Sequence, residues 1–187
     1  MTTDPAELGE ALFRVLQTGD ADLAVEVVHP DNHNREASVA PAACSLPGPR
    51  GTLASGAWMR SAFSDLRFPV SAVVRDGDQV WLRLRMQGTH TASFVRFREG
   101  RLDQAIPPTG RDIDFEQVHM LDVKDGKVVR HEALRDDLTM LGQLGIFPPS
   151  PSVGLRMLAW KVTGRAGRAA EAVSAKAAEA AAALDRT

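Results

Sequence analysis

Ionisable side chains occupy positions that a sheet core would ordinarily fill with Val or Leu. The stretch Phe115-Glu116-Gln117-Val118-His119 is followed by Asp125-Gly126-Lys127-Val128-Val129-Arg130-His131-Glu132 and then by Arg135-Asp136-Asp137. Histidine exchanges protons near neutral pH, and carboxylates serve as general bases when burial or neighbours tune them. His119, Glu132 and Asp136 facing one apolar cavity would make an acid/base site that needs neither metal nor organic cofactor. The chain has no Tyr and one Cys, Cys44, so proton transfer falls to His, Glu and Asp.

Asp-Gly between two alternating runs predicts a β-hairpin with a two-residue loop. With Asp125 and Gly126 as that loop, Lys124 faces Lys127, and His119 lies opposite Glu132. Gln117 then faces Leu134, Leu121 faces Arg130, and Phe115 faces Asp136. The last four of these pairs, together with Val123 opposite Val128, share one face, apolar near the turn and ionisable at the far end, as in a pocket with a greasy floor. A three-residue turn with a bulge at Gly126 instead sets His119 against His131, and a slip of one residue exchanges the two faces of a strand.

Around this hairpin the pattern predicts an α+β domain. Asp4-Pro5-Ala6-Glu7 reads as a helix start, with Leu8, Leu12, Val15 and Leu16 at helical spacing. Asp20 caps a second helix carrying Leu23, Ala24 and Val27 inward. From His29 to about Ser55 the prolines and glycines predict a long loop. Ser55 is expected to cap a third helix bearing Trp58, Ala62 and Phe63. Strands follow over 68–74, from Val80 past Met86 to His90, and over roughly 112–123 and 127–136, with an irregular stretch at 92–110. Leu138, Leu141 and Leu144 form a short helical turn ending at Gly145. Three helices on one face of a curved, mainly antiparallel sheet make a cone with a cavity. His90, Phe115, Gln117, Arg130, Leu134, Trp58 and Phe63 are expected to line it. The domain spans 1–149; residues 150–187, with six basic and three acidic side chains and a run rich in Ala, form a tail read as a partly ordered surface helix.

A formal net charge of −2 gives no basis for nucleic-acid binding. The N-terminus has no basic and apolar leader, and no 18-residue apolar run predicts stable membrane insertion, so a cytoplasmic protein is expected. His29 and His33 beside Asp31 fit no strong metal signature. Cys44, in a Pro/Gly loop without a nearby base, is expected to be inert.

Gly88-Thr89-His90-Thr91, Pro107-Pro108-Thr109-Gly110-Arg111, Asp125-Gly126-Lys127-Val128-Val129, His131 and Arg135-Asp136-Asp137-Leu138 resemble the SnoaL-like polyketide cyclases, or ester cyclases, of the nuclear transport factor-like superfamily. Phe63-Ser64-Asp65-Leu66 fits as well, and order and spacing match over about residues 5–149. The resemblance implies a cone of three helices and a curved mixed sheet, often as a homodimer. It also implies a small-molecule substrate and ring closure by intramolecular aldol condensation without cofactors. It maps the general base onto Asp136 and the strand histidine onto His119. Two departures stand out. Arg130-His131-Glu132 replaces the family's common Glu-His-Trp, and Arg96-Phe97-Arg98-Glu99-Gly100-Arg101 lengthens the segment before Pro107, which alters the pocket mouth. The same cavity would equally serve a protein that binds or senses a ligand without transforming it.

Overall fold

The computed structural model describes residues 4–148 and 150–185; Pro149, at the boundary predicted before the tail, lies outside them. Helix α1 (Pro5–Thr18) begins as its sequence dictates. The Asp4 carboxylate accepts from the Ala6 amide at 3.1 Å, Pro5 takes the first turn, and Gly19 closes the helix at φ +79°. Helix α2 (Ala21–Val27) starts on Asp20, which accepts from the Leu23 amide at 3.0 Å.

Several elements differ from the sequence pattern, and Phe63, expected on the third helix, opens a strand instead. Strand β1 (Val28–Asn34) occupies the start of the expected loop. It is an edge strand, paired only with β8 among the described residues; Val28 and Asn32 are its buried side chains, and the apolar alternation that marks a strand is absent. Helix α3 (Pro49–Arg60) starts earlier than the Ser55 cap would place it. Pro49 suits the first helical position, whereas Ser55 sits inside the helix and donates its hydroxyl back to the Gly51 carbonyl at 2.8 Å.

Strands β2 (Phe63–Arg67), β3 (Val70–Asp76), β4 (Gln79–His90), β7 (Asp112–Lys124) and β8 (Lys127–Arg135) complete the main sheet with β1, in the order β1-β8-β7-β4-β2, with β3 also paired to β4. Among the described residues, only β1 and β8 pair in parallel. On β4, Val80, Leu82, Leu84, Met86 and His90 are buried at alternate positions, the period of a half-buried strand. The expected irregular stretch contains a separate hairpin, β5 (Phe94–Arg98) and β6 (Arg101–Ile106). Its turn, Glu99-Gly100, has both residues at positive φ, like Asp125-Gly126, as a two-residue hairpin loop of type I′ requires. The signal was present; Glu in place of Asp or Asn concealed it.

Helices α4 (Asp137–Gln143), α5 (Pro151–Val162) and α6 (Arg165–Ala181) follow β8. The tail is better packed than its composition suggests. Ala170, Val173, Ala177 and Ala181 are buried along one stripe of α6, which packs against α3 and touches the β5–β6 hairpin. Small side chains let the two helices approach closely. In contrast α5 leaves Leu155, Leu158 and Val162 exposed. None of the described helices is long and apolar enough to cross a membrane.

Candidate functional site

The β7–β8 hairpin begins as the two-residue loop predicts, with Lys124 opposite Lys127 and Val123 opposite Val128. The register then shifts by one. Asp122 pairs with Arg130, Leu121 with His131, Met120 with Glu132 and His119 with Ala133. One extra residue, Val129, makes a bulge in β8 and exchanges the faces of everything beyond it. The expected pairing of His119 with Glu132 is therefore corrected, and the reason is solvation. A regular register would bury Arg130 and Glu132 and turn His131 outwards. With the bulge, Arg130 meets Asp122 at 2.7 Å and Glu132 meets Arg35 at 2.9 Å on the outer side. The buried Asn32 amide donates to the Val128 carbonyl at 3.1 Å beside the bulge.

The inner face of β7 and β8 now presents Gln117, His119, His131 and Arg135 to a cavity between the sheet and helices α1, α3 and α4. Its wall is aromatic, built from Phe13, Trp58, Phe63, Phe68, Phe94 and Phe115. The Trp58 indole N–H is satisfied by the Val95 carbonyl at 2.8 Å, so that ring offers the cavity only its apolar body. The free volume is about 60 Å³, well under the ~300 Å³ of sites that hold drug-sized ligands. A ring-containing ligand must displace wall side chains, and Met59, Met86 and Met140 are the unbranched, adaptable ones among them.

Three polar side chains form a directed chain in this wall. The Gln117 amide nitrogen lies 3.6 Å from Met86 Sδ, which leaves its Oε1 to accept from His119 Nε2–H at 2.7 Å. His119 Nδ1 is then an acceptor, and His131 Nε2–H donates to it at 2.8 Å. Phe13 of α1 packs edge-on to His119, with ring centroids 4.7 Å apart. Burial holds both imidazoles neutral at pH 7. It pushes His131 down to about 4, helped by Arg135, and pushes His119 well below its usual value, with His131 and Arg135 adding to the effect.

The Arg135 guanidinium lies 3.4 Å from the Asp137 carboxylate, and both line the cavity. Asp137, not its neighbour, is thus the carboxylate at the cavity wall. Asp136 is exposed and caps α4, accepting from the Thr139 amide at 3.0 Å and the Thr139 hydroxyl at 2.6 Å. These hydrogen bonds hold its carboxyl below the usual range.

Of the residues expected at the pocket, Trp58, Phe63, Phe115, Gln117 and His119 line it, whereas Asp136, Glu132, His90, Arg130 and Leu134 do not. Leu134 is turned outwards by the bulge and is 68% exposed. His90 is fully buried on the inner parity of β4, but it serves the loop before β7. Its Nδ1 meets the Thr109 hydroxyl at 3.0 Å and the Thr109 amide at 3.3 Å. His131, Arg135 and Asp137 were hidden by a single misplaced residue of register. Cys44 is buried, which pushes its thiol up to about 12, so no nucleophilic thiolate forms there. No three of the described His, Cys, Asp or Glu residues converge as metal ligands.

The family profile described as SnoaL-like polyketide cyclase matches residues 6–144. Aklanonic acid methyl ester cyclase DnrD of Streptomyces peucetius is 27% identical over 154 residues, covering 78% of this chain and 93% of that one. Nogalonic acid methyl ester cyclase of Streptomyces nogalater is 30% identical over 138 residues, covering 72% and 92%. Among solved structures, IdmH from Streptomyces antibioticus superposes with a TM-score of 0.58 at 27% identity, covering 77% of this chain and 100% of that one.

Proposed function

The chain belongs to the SnoaL-like polyketide cyclase family, and on that premise we propose that it closes a ring in an aromatic, polyketide-like ketone by proton transfer at the cavity wall. One observation carries the reading: an accessible carboxylate, Asp137, shares an apolar, aromatic cavity with a buried pair of neutral histidines. Asp137 takes the base role that the family resemblance assigned to Asp136. It removes a proton from the carbon next to a carbonyl, and the resulting enolate carbon attacks a second carbonyl of the same molecule. The new C–C bond leaves an alkoxide, which takes the proton back from the Asp137 carboxylic acid. Arg135, beside Asp137, stabilises the anion that develops nearby.

His119 and His131 act as a neutral hydrogen-bonding floor. With the direction set by Gln117, His131 Nδ1 is the remaining acceptor of the pair, suited to a ligand hydroxyl. Their depressed basicity keeps the two imidazoles uncharged at neutral pH. Glu132, on the outer side with Arg35, has no part in this scheme.

Aklanonic acid methyl ester and nogalonic acid methyl ester, named for the relatives, are the first substrates to offer. At least one is expected to be converted to a ring-closed isomer of unchanged mass, in chelator-treated buffer with no added cofactor, as followed by chromatography and mass spectrometry. If both bind and neither changes, ring closure is contradicted and a ligand-binding role is left.

A further inference from the structure

Helix α5 is apolar on two opposite faces. Val153, Met157 and Trp160 share one of them by helical spacing; Val153 is buried and the other two are half-buried. Leu155, Leu158 and Val162 share the other face and are 68%, 58% and 79% exposed. A surface helix ordinarily turns its apolar stripe inwards and a polar face outwards. Here a second apolar stripe faces water, on a helix that is anchored to the body: the Arg156 guanidinium donates to the Pro108 carbonyl at 2.8 Å.

The charge around this stripe has one sign. Between Asp137 and Glu171 the sequence has no acidic residue, and its cations are Arg156, Lys161, Arg165 and Arg168. All four are exposed, and among the described residues none is in an ion pair. Lys161 follows Leu158 by three residues, and Arg165 follows Val162 by three at the turn into α6. A symmetric contact between two copies of α5 would set this cationic rim against itself. An anionic lipid surface matches both parts, since acyl chains accept the stripe and headgroups the cations. The stripe also lies outside residues 6–144, the span of the family match.

We propose that α5 docks the folded protein onto an anionic lipid surface. The helix lies in the plane of the interface, with Leu155, Leu158 and Val162 towards the acyl chains and Lys161 and Arg165 among the headgroups. None of the described helices is long and apolar enough to span a bilayer, so the contact is peripheral and reversible. This inference goes beyond the ring-closing scheme and does not depend on it.

Flotation of the full chain with vesicles tests it, comparing phosphatidylcholine alone with equal parts phosphatidylcholine and phosphatidylglycerol. The wild-type protein is expected to bind the anionic vesicles at least about tenfold more tightly, and to lose most of that preference at about 1 M salt, where screening is nearly complete. Lys161→Gln and Arg165→Gln are each expected to weaken binding about fivefold. Leu155→Ser with Leu158→Ser is expected to weaken it about tenfold or more, and an unchanged thermal unfolding curve shows that these exposed substitutions leave the fold intact. Equal binding to both vesicles, undiminished binding of the serine variant, or no binding at all would overturn the proposal. A dimer in sedimentation that the serine variant turns monomeric, with no vesicle binding, would assign the stripe to a second copy of the chain instead.

Discussion

Asp137→Asn is expected to lower kcat for ring closure by about 10²- to 10⁴-fold, the usual worth of a positioned general base, with ligand affinity nearly unchanged. Asp136→Asn is expected to leave kcat within about threefold, because Asn caps a helix about as well as Asp and Asp136 does not line the cavity. The adjacent substitutions have the same chemistry and differ only in where the side chain points. Stability separates them little. The Arg135–Asp137 pair is partly exposed, and such pairs contribute about 1 kcal/mol or less. Steady-state kinetics on both variants, with urea unfolding as the control for folding, checks the assignment. A loss of kcat in Asp136→Asn that matches or exceeds the loss in Asp137→Asn would return the base role to the capping residue.

Acid is expected to unfold the protein in a window set by its buried histidines. Burial pushes His90 and His131 down to about 4, with Arg156 adding to the effect at His90 and Arg135 at His131. His119 is lowered further in the same direction. In the unfolded chain each titrates near 6.5. As pH falls from about 6.5 towards 4, the unfolded state therefore binds protons that the folded state refuses, and stability falls with pH. For His90 and His131 the loss is about 3 kcal/mol each, a large share of the roughly 5–15 kcal/mol that stabilises a domain. The depressed carboxyls, Asp114 and Asp136, act in a separate and lower window. Their stabilising contribution is present above the ordinary carboxyl value and is lost below it. Urea unfolding at pH 7, 5.5 and 4.5 should show a steep decline. His90→Gln should reduce the slope between about pH 6.5 and 4 by close to one proton's worth, about 1.4 kcal/mol per pH unit. A flat profile over that range would mean that these imidazoles take up protons in the folded protein.

Much of the fold was legible because local signals and global packing agree. Asp4-Pro5 and Gly19 bound α1, Asp20 opens α2, and the period-two run on β4 carries parity unbroken from Val80 to His90. The Asp125-Gly126 turn is legible in the sequence and sets the first two pairs of the hairpin. What the pattern did not reveal was the Val129 bulge. Nothing local marks it, since Val128-Val129 suits a regular strand as well as a bulged one. Its cause is non-local: Arg35 and Asp122 wait on the outer side for Glu132 and Arg130. That one residue decides whether His131 or Glu132 joins His119 in the cavity. Hence the histidine and the aromatic walls were found, while His131, Arg135 and Asp137 were not. Likewise β1 and the stripe of α6 escaped the pattern, because an edge strand needs no apolar alternation and an Ala face has little hydrophobic contrast.

Exchange of the α-hydrogens of 2-acetylnaphthalene in D₂O, followed by proton NMR at pD 7, tests the proton-transfer claim without a natural substrate. The wild-type protein is expected to accelerate exchange catalytically with no cofactor added, and Asp137→Asn to return it to the buffer rate while still binding the ketone. Exchange at the buffer rate with the wild-type protein saturated by ketone, or acceleration that persists in Asp137→Asn, would contradict proton abstraction by Asp137 in this cavity.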